Sequence, residues 1–184
     1  MPNATYYIAN LYETSADNEG LEQDDTDDKN IRYIGTNPNN YVEFGNIGEL
    51  WRIIGVFNTT DSTGTTTKKL KIVRNESIGE FGYTTLEKTP TYWKDTDLNR
   101  ELNEDYLNYL LTSNPIWYGG SSDTNIEFNK DYTIKSNYQQ LIENTNWNVG
   151  FASSLPDSAY NTYNSEKTEL LSNKVGLISA SEYA

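Results

Sequence analysis

The sequence predicts an α+β domain: an antiparallel sheet of about five strands, one main helix packed across it, and long polar loops. Three observations carry that expectation. Leu50-Trp51-Arg52-Ile53-Ile54-Gly55-Val56-Phe57 is apolar on both faces, as a central strand buried on two sides must be. Lys69 to Arg74 alternates, with Leu70 and Ile72 on one side and Lys69, Lys71 and Val73 on the other, the period of a half-buried strand. From Asp97 to Leu111 the residues Leu98, Leu102, Tyr106, Tyr109 and Leu110 recur at helical spacing and form one apolar stripe.

The remaining elements follow in chain order. Asn3 can cap a short helix whose apolar side is Tyr7, Ile8, Leu11 and Tyr12. Asp17 to Asn30 reads as an acidic loop and Ile31 to Ile34 as a short strand. Asn37-Pro38-Asn39-Asn40 is a turn, because Pro sets one backbone angle and Asn tolerates unusual ones. Tyr41 to Phe44 and Glu49 to Phe57 form a hairpin through Gly45-Asn46-Ile47-Gly48, and Lys69 to Arg74 pairs antiparallel with the second of these strands. Asp95 or Thr96 caps the main helix, whose N-terminal half is favoured by Asp97, Glu101 and Glu104, and Asn114-Pro115 ends it. The capping box Ser136-x-x-Gln139 starts a second helix carrying Tyr138, Leu141 and Ile142. Pro115 to Lys135 and Asn148 to Tyr163 read mostly as loop, and Glu166 to Leu171 as a helical turn. A last strand, Lys174 to Ile178, is expected to insert beside the earlier ones and tie the chain's ends together.

The totals bound the function. A chain of 184 residues fits a single domain, 1–184. At that length it buries roughly 70% of the surface its unfolded form exposes, so neither metal nor disulfide is needed to fold it. Aromatic content of 13%, with 15 Tyr and 4 Trp, argues for a folded core despite a mean hydropathy of −0.76. A net charge of −13 repels phosphate, which excludes nucleic acid and disfavours an anionic membrane surface as partner. With no Cys and no His, thiolate chemistry, the usual serine-hydrolase triad and most zinc or iron sites are excluded. No apolar run approaches a membrane span, so this segment is not expected to insert into a bilayer. The start lacks the basic and apolar regions of a signal peptide, and the end, Ser179-Ala180-Ser181-Glu182-Tyr183-Ala184, reads as the first turn of something further. The chain is therefore expected to be an incomplete fragment of a longer protein.

Four segments in order carry a resemblance: Leu50 to Phe57; Leu70-Lys71-Ile72-Val73-Arg74-Asn75-Glu76-Ser77-Ile78-Gly79; Tyr92-Trp93-Lys94-Asp95-Thr96-Asp97-Leu98-Asn99-Arg100-Glu101-Leu102-Asn103; and Lys174-Val175-Gly176-Leu177-Ile178-Ser179. Asp27 to Val42 stands ahead of them. The pattern resembles a family of uncharacterised exported proteins of Firmicutes and their relatives. That resemblance implies an extracellular or cell-surface location, a lectin-like fold, and an anchor before and further strands after the matched part. It supplies no activity and no catalytic residues.

Candidate sites are few. Asp24, Asp25, Asp27 and Asp28, with Asn30, offer the clustered oxygens that a calcium ion takes, but the Gly and distal Glu of an EF-hand loop are absent. The same run also reads as a solvated acidic loop, and no cofactor other than calcium is expected. Trp117 and Tyr118, before Gly119-Gly120, are the best candidates for exposed rings that stack on a sugar, whereas Trp51 and Trp93 belong to the core. Arg52 lies in an apolar strand and is expected to pair with Glu43 or Glu49; a ligand carboxylate is the sharper alternative. The function expected is a binding, adhesion or structural module of a bacterial surface protein, its partner a glycan or another surface protein. The alternative is a carboxylate-dependent enzyme acting on glycan or cell-wall substrates.

Overall fold

The computed structural model describes residues 3–16, 18–45, 48–61, 63–78, 81–84, 92–107, 117–119, 124–126, 134, 136–150 and 159–183. Asn3 opens the first helix, α1 (Ala4–Thr14): its side-chain oxygen accepts the Thr5 N–H at 2.9 Å, satisfying one of the amides that a helix start leaves without a partner. The buried stripe of α1 centres on Ile8 and Ala9. Tyr7, expected on that stripe, sits at its margin and is 58% exposed.

Five strands form one antiparallel sheet: β1 (Leu21–Gln23), β2 (Ile31–Tyr33), β3 (Tyr41–Glu43), β4 (Leu50–Thr60) and β5 (Thr66–Arg74). As the apolar run foretells, β4 is central. β5 pairs along it from Trp51–Arg74 to Thr60–Thr66, which leaves β2 and β3 to share its other edge end to end. β1 continues the sheet beyond β2, with Leu21 opposite Tyr33. Two expectations are corrected. Lys174 to Ile178 joins no sheet, and the fifth strand instead lies inside the stretch expected to be an acidic loop. β1 has a single apolar residue, Leu21, which is 1% exposed; one anchor and a backbone ladder suffice where no alternating pattern exists to announce the strand.

A bulge between the pairs Ile53–Ile72 and Gly55–Lys71 shifts the alternation of β4 by one residue. Trp51, Ile53 and Val56 therefore share one face with Leu70, Ile72 and Ile31, while Arg52, Gly55 and Phe57 share the other with Lys69, Lys71 and Arg32. The first face carries the core. Trp51 packs with Trp93, Leu98, Leu102, Tyr106, Leu107 and Ile134, and Ile53 and Val56 pack with Ile8, Ala9, Leu21 and Ile31; Val42 and Ile72 touch both groups. The helix expected after Trp93 thus roofs Trp51. Thr96 caps it by accepting the Asn99 N–H at 3.1 Å. It runs as α2 (Asp97–Glu101) and then as a π-helical turn, Leu102–Tyr106. Tyr109 and Leu110 lie outside the described residues.

The chain then forms the hairpin β6 (Trp117–Gly119) and β7 (Thr124–Ile126), the short turn α3 (Ser136–Gln139), β8 (Thr145–Asn148), α4 (Ala159–Glu166), β9 (Leu170–Asn173), paired with β8, and α5 (Ala180–Tyr183). Ser136 begins a single turn rather than capping a longer helix, and Leu141 beyond it is 66% exposed. This part of the chain supplies partners for the basic face of the sheet. The Lys71 ammonium pairs with Glu182 of α5 and lies 4.4 Å from the Trp147 ring of β8. Arg32 donates to the Ser181 carbonyl at 3.1 Å, and Glu166 accepts the Ser181 N–H at 3.1 Å. Burial holds Lys71 below its ordinary pKa, with Glu182 opposing the shift; a charge enters such a site only when paired.

Asn103 explains why Lys174–Val175 needs no neighbouring strand. Its oxygen accepts the Val175 N–H at 3.0 Å and the Lys174 N–H at 3.3 Å, and its nitrogen donates to the Val175 carbonyl at 3.0 Å. One side-chain amide does the work of a strand's backbone. Gly176 then lies flat on Trp147, where a Cβ would come within 2.7 Å of the ring.

Candidate functional site

Two of the clefts among the described residues differ in chemistry. The first, of 420 Å³, lies between α1 and the core face of the sheet. Ile8, Leu11, Val42, Ile53 and Leu70 give it an apolar interior. Tyr7, Tyr33, Asn39, Glu19 and, on the edge strand, Tyr41 complete its lining. Each arrives by a local cause. Tyr7 is the margin of α1, and Tyr41 is an edge-strand residue, 43% exposed. Glu19 is held with φ at 51°, a left-handed conformation unfavourable to a residue with a Cβ, and Gly20 follows with φ at 77°. The Gly20 carbonyl accepts the Ile34 N–H at 2.9 Å, which seats this turn beside Tyr33. Burial, with Tyr7 and Glu19 close by, raises the Tyr33 pKa, so its hydroxyl keeps its proton.

Arg52 stands behind this cleft. Its guanidinium lies 4.5 Å from the centre of the Tyr41 ring, bonds the Tyr41 hydroxyl, and donates to Asn75 at 3.1 Å. Its partners are therefore Tyr41 and Asn75 rather than the expected Glu43 or Glu49. Glu49 is engaged elsewhere, by Arg74 and by the Trp51 indole N–H at 2.8 Å. The register decides this: Tyr41 is directly opposite Arg52 on β3, so the ring meets the guanidinium before any carboxylate does. Arg52 and the Tyr41 ring thus lie together on the face of the sheet opposite the core.

The second cleft, of 390 Å³, lies at the start of α2 and is lined by Lys94, Asp95, Asp97, Asn99, Arg100, Asn103, Glu104 and Asn173, together with Thr96. Its amides are committed to structure: Asn173 donates to Asn99 at 2.6 Å, and Asn103 binds the 174–175 backbone. Asp97, 5% exposed, accepts from the Thr84 hydroxyl at 3.0 Å and faces Arg100 at 3.9 Å.

The aspartates of the 24–28 run are placed apart in role. Asp24 accepts from the Thr26 hydroxyl at 2.7 Å, from the Asn30 backbone at 3.1 Å and side chain at 2.9 Å, and from Arg32 at 3.1 Å. Asp28 bonds Tyr163 and Lys167 of the C-terminal part. Burial alone would raise the Asp28 pKa, but the Tyr163 and Lys167 hydrogen bonds and the Lys167 charge outweigh it and lower the value. Asp25 and Asp27 are exposed. Among the described residues no three metal-ligating side chains converge. Trp117 and Tyr118 belong to the separate β6–β7 sheet, opposite Ile126 and Asn125.

The three tyrosines and Glu19 escaped the sequence reasoning because they lie on four different segments. The one available signal was Tyr41 beside Pro38-Asn39-Asn40, an aromatic next to a polar turn. Among the described residues no helix is long and apolar enough to cross a membrane. Comparison with known protein families, with curated proteins and with solved structures finds no match.

Proposed function

We propose that this chain is a ligand-binding module of a bacterial surface protein, with a glycan seated in the cleft between α1 and the sheet. The observation that supports this most is the union of Tyr7 and Tyr33 with an apolar interior and with Asn39 and Glu19. Ring faces stack on sugar C–H groups while amide and carboxylate groups bond hydroxyls, and concave sites of this size and mixed lining are the usual form of small-ligand sites. The extracellular location is part of the same proposal and rests on the sequence resemblance. The enzymatic alternative has less support: Asp97, the shielded acid of the second cleft, is already engaged by Thr84 and Arg100.

Screening a broad glycan array and titrating the hits tests the proposal. Tyr7→Ala, at an exposed lining residue, is expected to weaken binding at least tenfold while leaving the unfolding midpoint near that of the unmodified chain. A flat response across the array would overturn it.

A further inference from the structure

We infer that Lys71 and Glu182 are the two ends of an intramolecular amide cross-link, formed between the Lys71 amine and the Glu182 carboxyl group with loss of one water. Among the described residues Lys69, Lys71 and Lys167 pair with carboxylates, and the Lys71 pair is the one shielded on both sides. The Lys71 and Glu182 side chains are 20% and 5% exposed, whereas Glu143, the partner of Lys69, is open to water, and Lys167 and Asp28 are only half-buried. The buried pairs Arg32–Asp24 and Arg74–Glu49 have no free amine to offer, since a guanidinium keeps its proton. The Phe57 and Trp147 rings wall in the Lys71 ammonium, with centres 5.3 and 4.4 Å away. The carboxyl group is held as firmly. Oε1 of Glu182 meets the ammonium, while Oε2 accepts the Ser179 N–H at 3.0 Å. The turn that carries it is clamped at Ser181, whose N–H and hydroxyl both donate to Glu166 and whose carbonyl accepts from Arg32 at 3.1 Å.

The bond needs no further reagent. One proton passes from Nζ to Oε1, leaving a free amine beside a neutral carboxyl group. Burial, which holds Lys71 below its ordinary pKa, eases that transfer. The Nζ lone pair attacks Cδ, and the carbonyl electron pair moves onto Oε2, where the Ser179 N–H stabilises it. A second proton passes from Nζ to Oε1, the electron pair returns from Oε2, and Oε1 leaves as water. The product is a neutral amide with one N–H on Nζ. Fixed contact gives the two groups an effective concentration that a separate amine and acid never reach in water. The ion pair is the state from which the link forms, and the link ties β5 to α5 across 111 residues of chain.

The folded chain is kept overnight at neutral pH, denatured, and weighed by mass spectrometry. It is expected to fall short of its sequence mass by one water, and fragment spectra of a protease digest are expected to join the peptide holding Lys71 to the peptide holding Glu182. Lys71→Arg keeps the positive charge but has no amine to acylate, and is expected at its full mass. If that variant does not fold, the joined peptides of the unmodified chain decide the question alone. A folded, unmodified chain at full mass would overturn the inference. So would a water loss that persists in Lys71→Arg or that maps to other residues.

Discussion

Replacing Asn103 by Ala removes the one side chain that stands in for a strand along Lys174–Val175. The expected cost follows from the bonds it makes. The Val175 N–H and carbonyl, each held at 3.0 Å, lose their partners. A buried backbone group left without a partner costs about 1–3 kcal/mol, and Val175 is half-buried, so water recovers part of that. The Lys174 N–H, at 3.3 Å and exposed, contributes almost nothing. The sum is about 2 kcal/mol, a large fraction of the stability of an ordinary domain. Urea unfolding followed by tryptophan fluorescence measures it, and Trp147 is well placed to report because its indole N–H donates to the Asn173 carbonyl at 2.9 Å. Hydrogen exchange at the Val175 amide localises the effect, and its protection is expected to fall. Asn103→Asp keeps an acceptor for the Val175 N–H and loses the donor to the carbonyl, so it should fall between the two. A loss below about 0.5 kcal/mol for Asn103→Ala, with exchange at Val175 unchanged, would refute the substitution of a side-chain amide for a strand.

Two further predictions test how the C-terminal part is held. Lys71→Met strands Glu182, whose side chain is 5% exposed, and should cost about 3 kcal/mol. Adding Glu182→Gln should restore much of that loss, and strictly additive effects in the double-mutant cycle would break the pairing argument. The Tyr163–Asp28 bond predicts opposite limbs of a pH–stability curve. Burial, followed by the Asp28 hydrogen bond and charge, pushes the Tyr163 pKa up from 10.0 to about 12. The folded state therefore holds that proton more tightly; the contribution is whole below pH 10.0 and disappears as pH rises from there to about 12. Asp28 is lowered from 3.8, so its contribution is whole above that value and is lost as pH falls below it. Tyr163→Phe should flatten the alkaline limb and shrink the acid one in denaturation series across pH, and an unaltered alkaline limb would count against the bond.

The parts legible from residue order were those governed by local periodicity. The apolar run around Trp51 declared a central strand, the alternation at Leu70 and Ile72 declared its partner, and the stripe from Leu98 declared the helix above them, because burial on one face leaves a period that survives in one dimension. β1 was hidden, since a three-residue strand with one apolar anchor leaves no period. Lys174–Ile178 was misplaced because its apolar run has the look of a strand, yet Val175 alone of its large apolar residues packs on the core, Leu177 and Ile178 are exposed, and the Val175 backbone is satisfied by Asn103, seventy-odd residues away in sequence.

The sequence by itself determined the class of fold, the middle of the sheet, the roof over Trp51, the acidity of the surface and the chemistries that a chain without His or Cys forgoes. Tertiary structure alone decided that Arg52 stacks on Tyr41, that Asp24 and Asp28 clasp protein donors, and that residues of α1, β2 and β3 line one cleft together with Glu19. The physical reason is the range of the forces involved. Apolar periodicity is written between neighbours in the chain, whereas the partner of a polar group is whichever donor or acceptor the folded backbone happens to bring within 3 Å or so.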